Sequence, residues 1–265
     1  MIEKNQKKVA IIQARMGSSR LPGKVLKNIA GKPMLAYVCE RICLSKLINH
    51  IVVATTDETS DDPIANYCME NDISCFRGKQ FDVLDRFYQA ALIFKADIIV
   101  RITADCPLID PEMIDDVIES FINQEVDFAA NRLPPPWKRS FPIGLDIEVS
   151  TFSALEKAWK EATLEFEREH VMPFLYDHPN RFKTLLIHHE PDYGNKRWTV
   201  DTQQDFDMVE KIIEHFFPTN DFSWLDVLDF VHLNPEIELI NKQVAAKFVQ
   251  SVDERVIANN RKDNL

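Results

Sequence analysis

The chain has 265 residues, 45% hydrophobic and 28% charged, a balance that suits a water-soluble globular fold with a sizeable core. With 42 acidic against 31 basic residues, the formal net charge is −11, which argues against general affinity for nucleic acid or an anionic membrane. The cysteines Cys39, Cys43, Cys68, Cys75 and Cys106 are odd in number and lack zinc spacing, so no disulfide framework is expected and a reducing cytoplasm fits.

In chain order, Lys4, Lys7 and Lys8 precede an apolar run too short for a signal peptide, and no later stretch approaches the roughly 18 apolar residues of a membrane span. "VAIIQA" (Val9–Ala14) predicts a buried strand. Pro33 suits the first position of a helix whose apolar face is Met34, Leu35, Tyr37, Val38 and Ile42. "HIVVATT" (His50–Thr56) predicts a second strand, and Asp62-Pro63 opens a helix ending near Asn71. A short strand at Ser74–Phe76, a helix within Phe81–Lys95 and a strand at Asp97–Thr103 follow. Asp110-Pro111 reads as the cap and first turn of the next helix. This alternation predicts an α/β fold, a three-layer Rossmann-like architecture around a mostly parallel sheet.

The second half is less regular. Strands are expected at Val126–Ala130, Gly144–Val149, Lys183–His189 and Arg197–Val200, with a proline-rich basic loop, "NRLPPPWKRSFPIG", between the first two. Thr202 to Asp205 has the form of a helix start, and helices from about Ser223 and Pro235 close the chain. We divide the sequence into a main domain, 1–235, containing an insertion around 126–190 for a second ligand, and a C-terminal helix with a frayed tail, 236–265.

The first 32 residues invert the overall charge. Glu3 is the only acid there, against Lys4, Lys7, Lys8, Arg15, Arg20, Lys24, Lys27 and Lys32. Within them "IIQARMGSSRLPGKVL" runs from a strand into a loop. Backbone amides around Gly17, Ser18 and Ser19 and the cations Arg15, Arg20 and Lys24 suit a polyphosphate, although an ordinary basic turn has the same composition. The terminal Gly-Lys-Ser/Thr of the mononucleotide P-loop is missing, as is the dinucleotide glycine pattern.

The run Ala14-Arg15, Ser18 or Ser19, Arg20-Leu21-Pro22-Gly23-Lys24 resembles the opening signature of cytidylyltransferases that activate acidic sugars such as 3-deoxy-manno-octulosonate and sialic acid. Within that group the chain is most similar to the spore coat polysaccharide biosynthesis protein F family. Further echoes follow in order: "ATTDETSDD", "FRGKQFDVLDRF", "VRITADCPLID", "GLDIEV", "EREHV" and "RWTVDTQQDF". The resemblance implies a glycosyltransferase-A-like nucleotidyltransferase fold and transfer of CMP from CTP to a sugar or sugar-like acceptor, with release of pyrophosphate, for surface polysaccharide assembly. Arg15, Arg20 and Lys24 would offset charge on the phosphates.

It also implies Mg²⁺, held by Asp105 and Asp201. Asp105 stands just beyond a strand, where a carboxylate meets ligands but where a turn Asp is equally at home. Asp201 has the alternative of capping the following helix. Mg²⁺ takes few carboxylates together with phosphate and water. The base is expected beside Gln13, Ala14 and Arg15, with Thr55, Arg77 and Thr103 as further polar groups; the alternative for Arg77 is a surface ion pair. For the acceptor, Asp146 and Glu148 would share one face of a strand, with Gly144 allowing close approach. Arg132, Lys138 and Arg139 would clamp an anionic acceptor from the proline-rich loop, unless that loop is simply solvated. His170, beside Glu169, would reach the site edge or tie its helix to the sheet.

A nucleotide-sugar-dependent glycosyltransferase of the same fold normally carries Asp-x-Asp, whereas "TADCP" holds one Asp. A non-catalytic nucleotide-binding subunit would have no need of Arg15, Lys24, Asp105 and Asp201 together. "HHE" (His188–Glu190) alternates faces on a strand and is not expected to converge on a metal. The late apolar helices and extended second half lead us to expect a homodimer.

Overall fold

Strand β1 (Lys8–Gln13) sets the plan of the molecule, in a computed structural model that describes residues 6–134 and 139–245. Its side chains alternate, and both sets are fully buried: Ala10 and Ile12 enter one apolar layer, Val9 and Ile11 the other. A strand covered on both faces reads as a continuous apolar run, which is what the sequence shows.

After β1 come a small hairpin, β2 (Asn28–Ile29) and β3 (Lys32–Pro33), then α1 (Met34–Cys43), β4 (His50–Thr56), α2 (Asp62–Glu70), β5 (Ser74–Gly78), α3 (Val83–Ile93) and β6 (Ile98–Thr103). The rest is α4 (Pro111–Asn123), β7 (Phe128–Ala130), β8 (Glu148–Thr151), α5 (Phe152–Glu161), α6 (Glu165–His170), α7 (Pro173–Tyr176), β9 (Thr184–Leu186), α8 (Gln203–Phe216), α9 (Trp224–Leu233) and α10 (Pro235–Leu239).

Seven strands form the central sheet in the order β5-β4-β1-β6-β8-β7-β9. Only β8 runs antiparallel to its neighbours, so the expected mostly parallel α/β architecture is present. The layer on one face takes Leu35, Val38 and Ile42 from α1, Ile114 and Val117 from α4, Val209 and Ile212 from α8 and Val227 from α9. The opposite layer takes Leu84 and Phe87 from α3, Leu155 from α5 and Leu175 from α7. From β1 the chain passes to β4 on one side, while β6 lies on the other. The carboxyl ends of β1 and β6 therefore flank a topological switch point, where Gln13 and Thr103 are register partners.

Several local expectations hold. Asp110 caps α4 by accepting from the Met113 amide at 2.9 Å, with Pro111 in the first turn. Thr202 and Asp205 form a reciprocal capping box at α8. Other expectations need correction. Pro33 precedes α1 rather than opening it, because it closes the β2–β3 hairpin. Gly144–Val149 is not a strand throughout: β8 begins at Glu148. Arg197–Val200 is not a strand either; its Arg197 makes an isolated bridge to Ile143, just before the first segment. Gly144, at φ +110°, explains this. A Cβ there would stand 2.5 Å from the Thr199 nitrogen and 2.6 Å from the Trp198 carbonyl carbon. The glycine serves close backbone packing here, in place of a regular ladder.

Within the segment 126–190, β7, β8 and β9 extend the central sheet. The boundary at 235/236 falls inside α10, whose Ile237 belongs to the main core. Lys138 and the tail beyond residue 245 lie outside the described residues.

Candidate active site

The loop after β1 returns on itself at Gly23, which adopts φ 72° before the single 3₁₀ turn Lys24–Leu26. The Gly23 amide donates to the Met16 carbonyl at 2.9 Å, closing the loop. Asp61 anchors it from outside, accepting from the Met16 amide at 2.7 Å and from the Thr56 hydroxyl. The turn drives Lys24 inward until it is 7% exposed.

There the Lys24 ammonium donates to Asp105 Oδ2 at 3.1 Å, to Asp201 Oδ1 at 3.0 Å and to the Val200 carbonyl at 2.6 Å. Two carboxylates and a cation from three distant segments thus meet at one nitrogen. Asp105 is steered by the Thr103 hydroxyl, 2.5 Å from Oδ1, and its own carbonyl accepts from the Val200 amide at 2.9 Å. Asp201 does not cap α8; Thr202 does. Its Oδ2 lies 2.8 Å from Arg20 and 2.9 Å from Arg197. Burial opposes the Lys24 charge, but Asp105 and Asp201 overcome it and hold the pKa above the ordinary lysine value. Burial alone would raise the Asp201 carboxyl; Lys24, then Arg20 and Arg197, reverse this and hold it at about 2.

Asp105, Asp201 and the opening loop therefore stand together at the switch point, as the residue types of a phosphate and hard-cation site require. The family model described as cytidylyltransferase matches residues 9–252. The chain belongs to the cytidylyltransferase family.

This cytidylyltransferase is 39% identical over 249 residues to an uncharacterized protein of Methanocaldococcus jannaschii, covering 93% of this chain and 99% of the relative. It is 30% identical to the spore coat polysaccharide biosynthesis protein SpsF of Bacillus subtilis, covering 85% of this chain and 94% of that one. A solved cytidylyltransferase structure from Leptospira borgpetersenii superposes with a TM-score of 0.83 at 34% identity, covering 92% of this chain and all of that one.

The remaining residues singled out from sequence are spread more widely. Gln13 ends β1, and its Oε1 accepts from Arg101 at 3.1 Å. Ala14 is buried, and its amide is bonded to the Ala54 carbonyl at 3.2 Å. Ser18 accepts from the Leu21 amide at 3.3 Å, shaping the loop in which Gly17 and Ser19 lie. Thr55 is fully buried, so its side chain does not line the crevice. Arg77 is spent on the Thr56 and Glu58 carbonyls, at 2.9 and 2.8 Å, and on Asp62 at 2.7 Å, which is the surface ion-pair alternative. Gly78 does not bring Arg77 to a ligand; a Cβ there would press 2.9 Å from Arg86 Cγ.

Asp146 and Glu148 part company. Asp146 precedes β8 and is paired with Arg139 and, at 3.4 Å, with Arg132. Burial would raise its carboxyl; Arg139 and Arg132 hold it below the ordinary value. Glu148 is inside β8, and its buried carboxylate pairs with Arg101. The two carboxylates do not share a strand face, because β8 starts only at Glu148. His170 closes α6, and Arg168 of the same helix grips Asp82 at 3.0 and 2.6 Å.

Arg101, Arg197, Asp205 and Asp61 also support the site, although sequence pattern gives Asp205 only a place in a helix start and Arg197 only a place in a strand. Asp205 is fully buried and accepts from Arg197 at 2.9 and 3.1 Å, from the amides of Asp201 and Thr202, and from Asn241. It fixes the backbone that presents Asp201. The capping pattern at Thr202 was the available signal, since a buried Asp at the third helical position needs a cation. Among the described residues no helix is long and apolar enough to cross a membrane, and no group of three or more His, Cys, Asp or Glu is placed to hold a metal by itself.

Proposed function

We propose that the protein transfers CMP from CTP to a sugar or sugar-like acceptor, releases pyrophosphate, and supplies an activated sugar for surface polysaccharide assembly. The observation that carries this reading is the Lys24 node, with Asp105, Asp201 and Arg20 around one point at the switch of the sheet. An acceptor hydroxyl oxygen attacks the α-phosphorus in line. A new phosphorus–oxygen bond forms there, the bond to the bridging oxygen of pyrophosphate breaks, and the hydroxyl proton passes to solvent. Arg15, Arg20 and Lys24 offset the charge that moves onto the phosphates, which matters most in a partly enclosed site.

The donor set fits Mg²⁺. Asp105 and Asp201 are hard oxygen ligands already gathered around one cation, the Lys24 ammonium, so a divalent ion and phosphate oxygens would complete a familiar set. Bound there, the ion would neutralise phosphate charge. On the acceptor side, Arg132, Arg139 and Asp146 form a charged rim suited to hydroxyls and an anionic group. The similarity to the spore coat polysaccharide biosynthesis protein SpsF supports the surface-polysaccharide role. The test is pyrophosphate release from CTP and Mg²⁺ across a panel of sugar acids and related metabolites. Absence of release with every acceptor, from protein that binds CTP, would defeat the transfer reading. We further propose a homodimer, which a monomeric mass by light scattering at micromolar concentration would refute.

A further inference from the structure

Arg101 lies on β6 with its guanidinium held between two side chains. Nη1 pairs with the Glu148 carboxylate, and Nη2 donates to Gln13 Oε1 at 3.1 Å. The side chains of Arg101 and Glu148 are only 12% and 6% exposed, so this pair is a fixed feature of the sheet face and not a solvent-screened contact. A guanidinium donates and never accepts. The Gln13 carbonyl must therefore face Arg101, and its NH₂ group must face away. No described residue accepts from Gln13 Nε2, and that nitrogen is not among the buried polar atoms left without a partner. It is a donor held in place and not enclosed by the protein.

Its position matters. Gln13 is the last residue of β1, immediately before the cationic loop, and pairs in register with Thr103, whose hydroxyl orients Asp105. The phosphate charges have Arg20 and Lys24 at hand. A neutral amide donor suits a neutral oxygen, such as a base carbonyl or a ribose hydroxyl. We propose that Arg101, backed by Glu148, is a positioning residue that fixes Gln13 so that its NH₂ donates to an oxygen of the cytidine moiety of bound nucleotide. This rests on the nucleotide reading given above.

Gln13→Glu is nearly isosteric and separates the two ends of the side chain. One carboxylate oxygen keeps the Arg101 contact, while the other replaces the outward N–H with an acceptor. Melting should stay within a few degrees of wild type. Affinity for both CTP and cytidine, read by calorimetry, should fall about tenfold or more, the scale on which losing a buried donor is felt. In wild type, the Gln13 side-chain amide signals, assigned by their loss in Gln13→Leu, should shift when cytidine is added. Arg101→Lys should weaken cytidine binding and abolish that shift with Gln13 still present. Wild-type affinity in a folded Gln13→Glu variant would overturn the inference. So would a loss for CTP but not cytidine, or an amide signal indifferent to cytidine. Wild type that binds neither CTP nor cytidine would overturn the nucleotide reading itself, and this inference with it.

Discussion

Arg20 and Lys24 grip opposite oxygens of the Asp201 carboxylate, Arg20 at 2.8 Å from Oδ2 and Lys24 at 3.0 Å from Oδ1. Two cations four positions apart in one loop are thereby joined to the turn before α8. The loop is held in shape by the group it would share with a ligand.

That grip has a pH signature. The folded Asp201 carboxyl sits at about 2, below its ordinary value of 3.8, so the unfolded chain takes up the proton first as pH falls. Its contribution is whole above about pH 4 and is lost as the pH drops towards 2. Urea unfolding across this range should show wild type losing about 2 kcal/mol more than Asp201→Asn. The variant should already be weaker at neutral pH, because Lys24, Arg20 and Arg197 lose their shared anion. Equal acid slopes in the two proteins would mean that Asp201 is not held ionised by this cluster.

Asp105→Asn tests the second carboxylate. The amide is nearly the same shape, and Lys24 keeps Val200 and Asp201, so the fold should survive. Turnover, read as pyrophosphate release with an active acceptor, should drop roughly a hundredfold or more, as removal of a key electrostatic group does. Near-normal turnover in the folded variant would remove Asp105 from the chemistry.

Lys24→Ala should separate phosphate from nucleoside. It removes a compact cation and should weaken CTP binding about tenfold or more while changing cytidine binding little. Added salt should narrow the difference, since charge interactions at the partly open rim are screened over about 8 Å at physiological ionic strength. Melting must be checked first, because the variant leaves Asp105 and Asp201 facing each other. Equal losses for the two ligands in folded protein would make the loop structural.

Nucleotide choice can be read by titrating the four ribonucleoside triphosphates with Mg²⁺ present. CTP should bind at least tenfold tighter than ATP or GTP, whose larger bases would have to enter the same crevice beside Gln13. Equal affinity for a purine nucleotide would overturn the base assignment.

Much of this arrangement was legible in the sequence where local pattern and tertiary role agree. "VAIIQA" is apolar on both faces because β1 is covered on both, and the basic loop, Asp105 and Asp201 come together as their motifs suggested. The misreadings share a cause. Gly144–Val149 and Arg197–Val200 alternate like strands, but backbone packing of Gly144 against Trp198 and Thr199 keeps them from pairing as a ladder. Thr55 and Arg77 carry polar groups at the right place in the chain, yet one is enclosed and the other is used up by nearby carbonyls. Arg101 was invisible because its partners, Gln13 and Glu148, are 88 and 47 positions away. Spacing rules report neighbours along an element, and these contacts run across the sheet.

Arg41 gives the molecule an order of assembly. Buried in α1, its guanidinium donates to the Ile109 carbonyl at 2.6 Å and to the Asn220 and Phe222 carbonyls at 2.9 and 2.8 Å. The last two lie 179 and 181 positions downstream, much as Val200 and Asp201 lie 176 and 177 positions beyond Lys24. Closing such long loops is slow, and Lys24 and Arg41 lack these partners until residues 200–222 have been made. On the ribosome, Lys24 and Arg41 emerge well before these partners. A chain stopped before Val200 would keep the opening motif intact in sequence while leaving Lys24 without the Val200 carbonyl and Asp201, and Arg41 without the Asn220 and Phe222 carbonyls. The opening loop and α1 therefore draw their buried contacts from the C-terminal third of the chain.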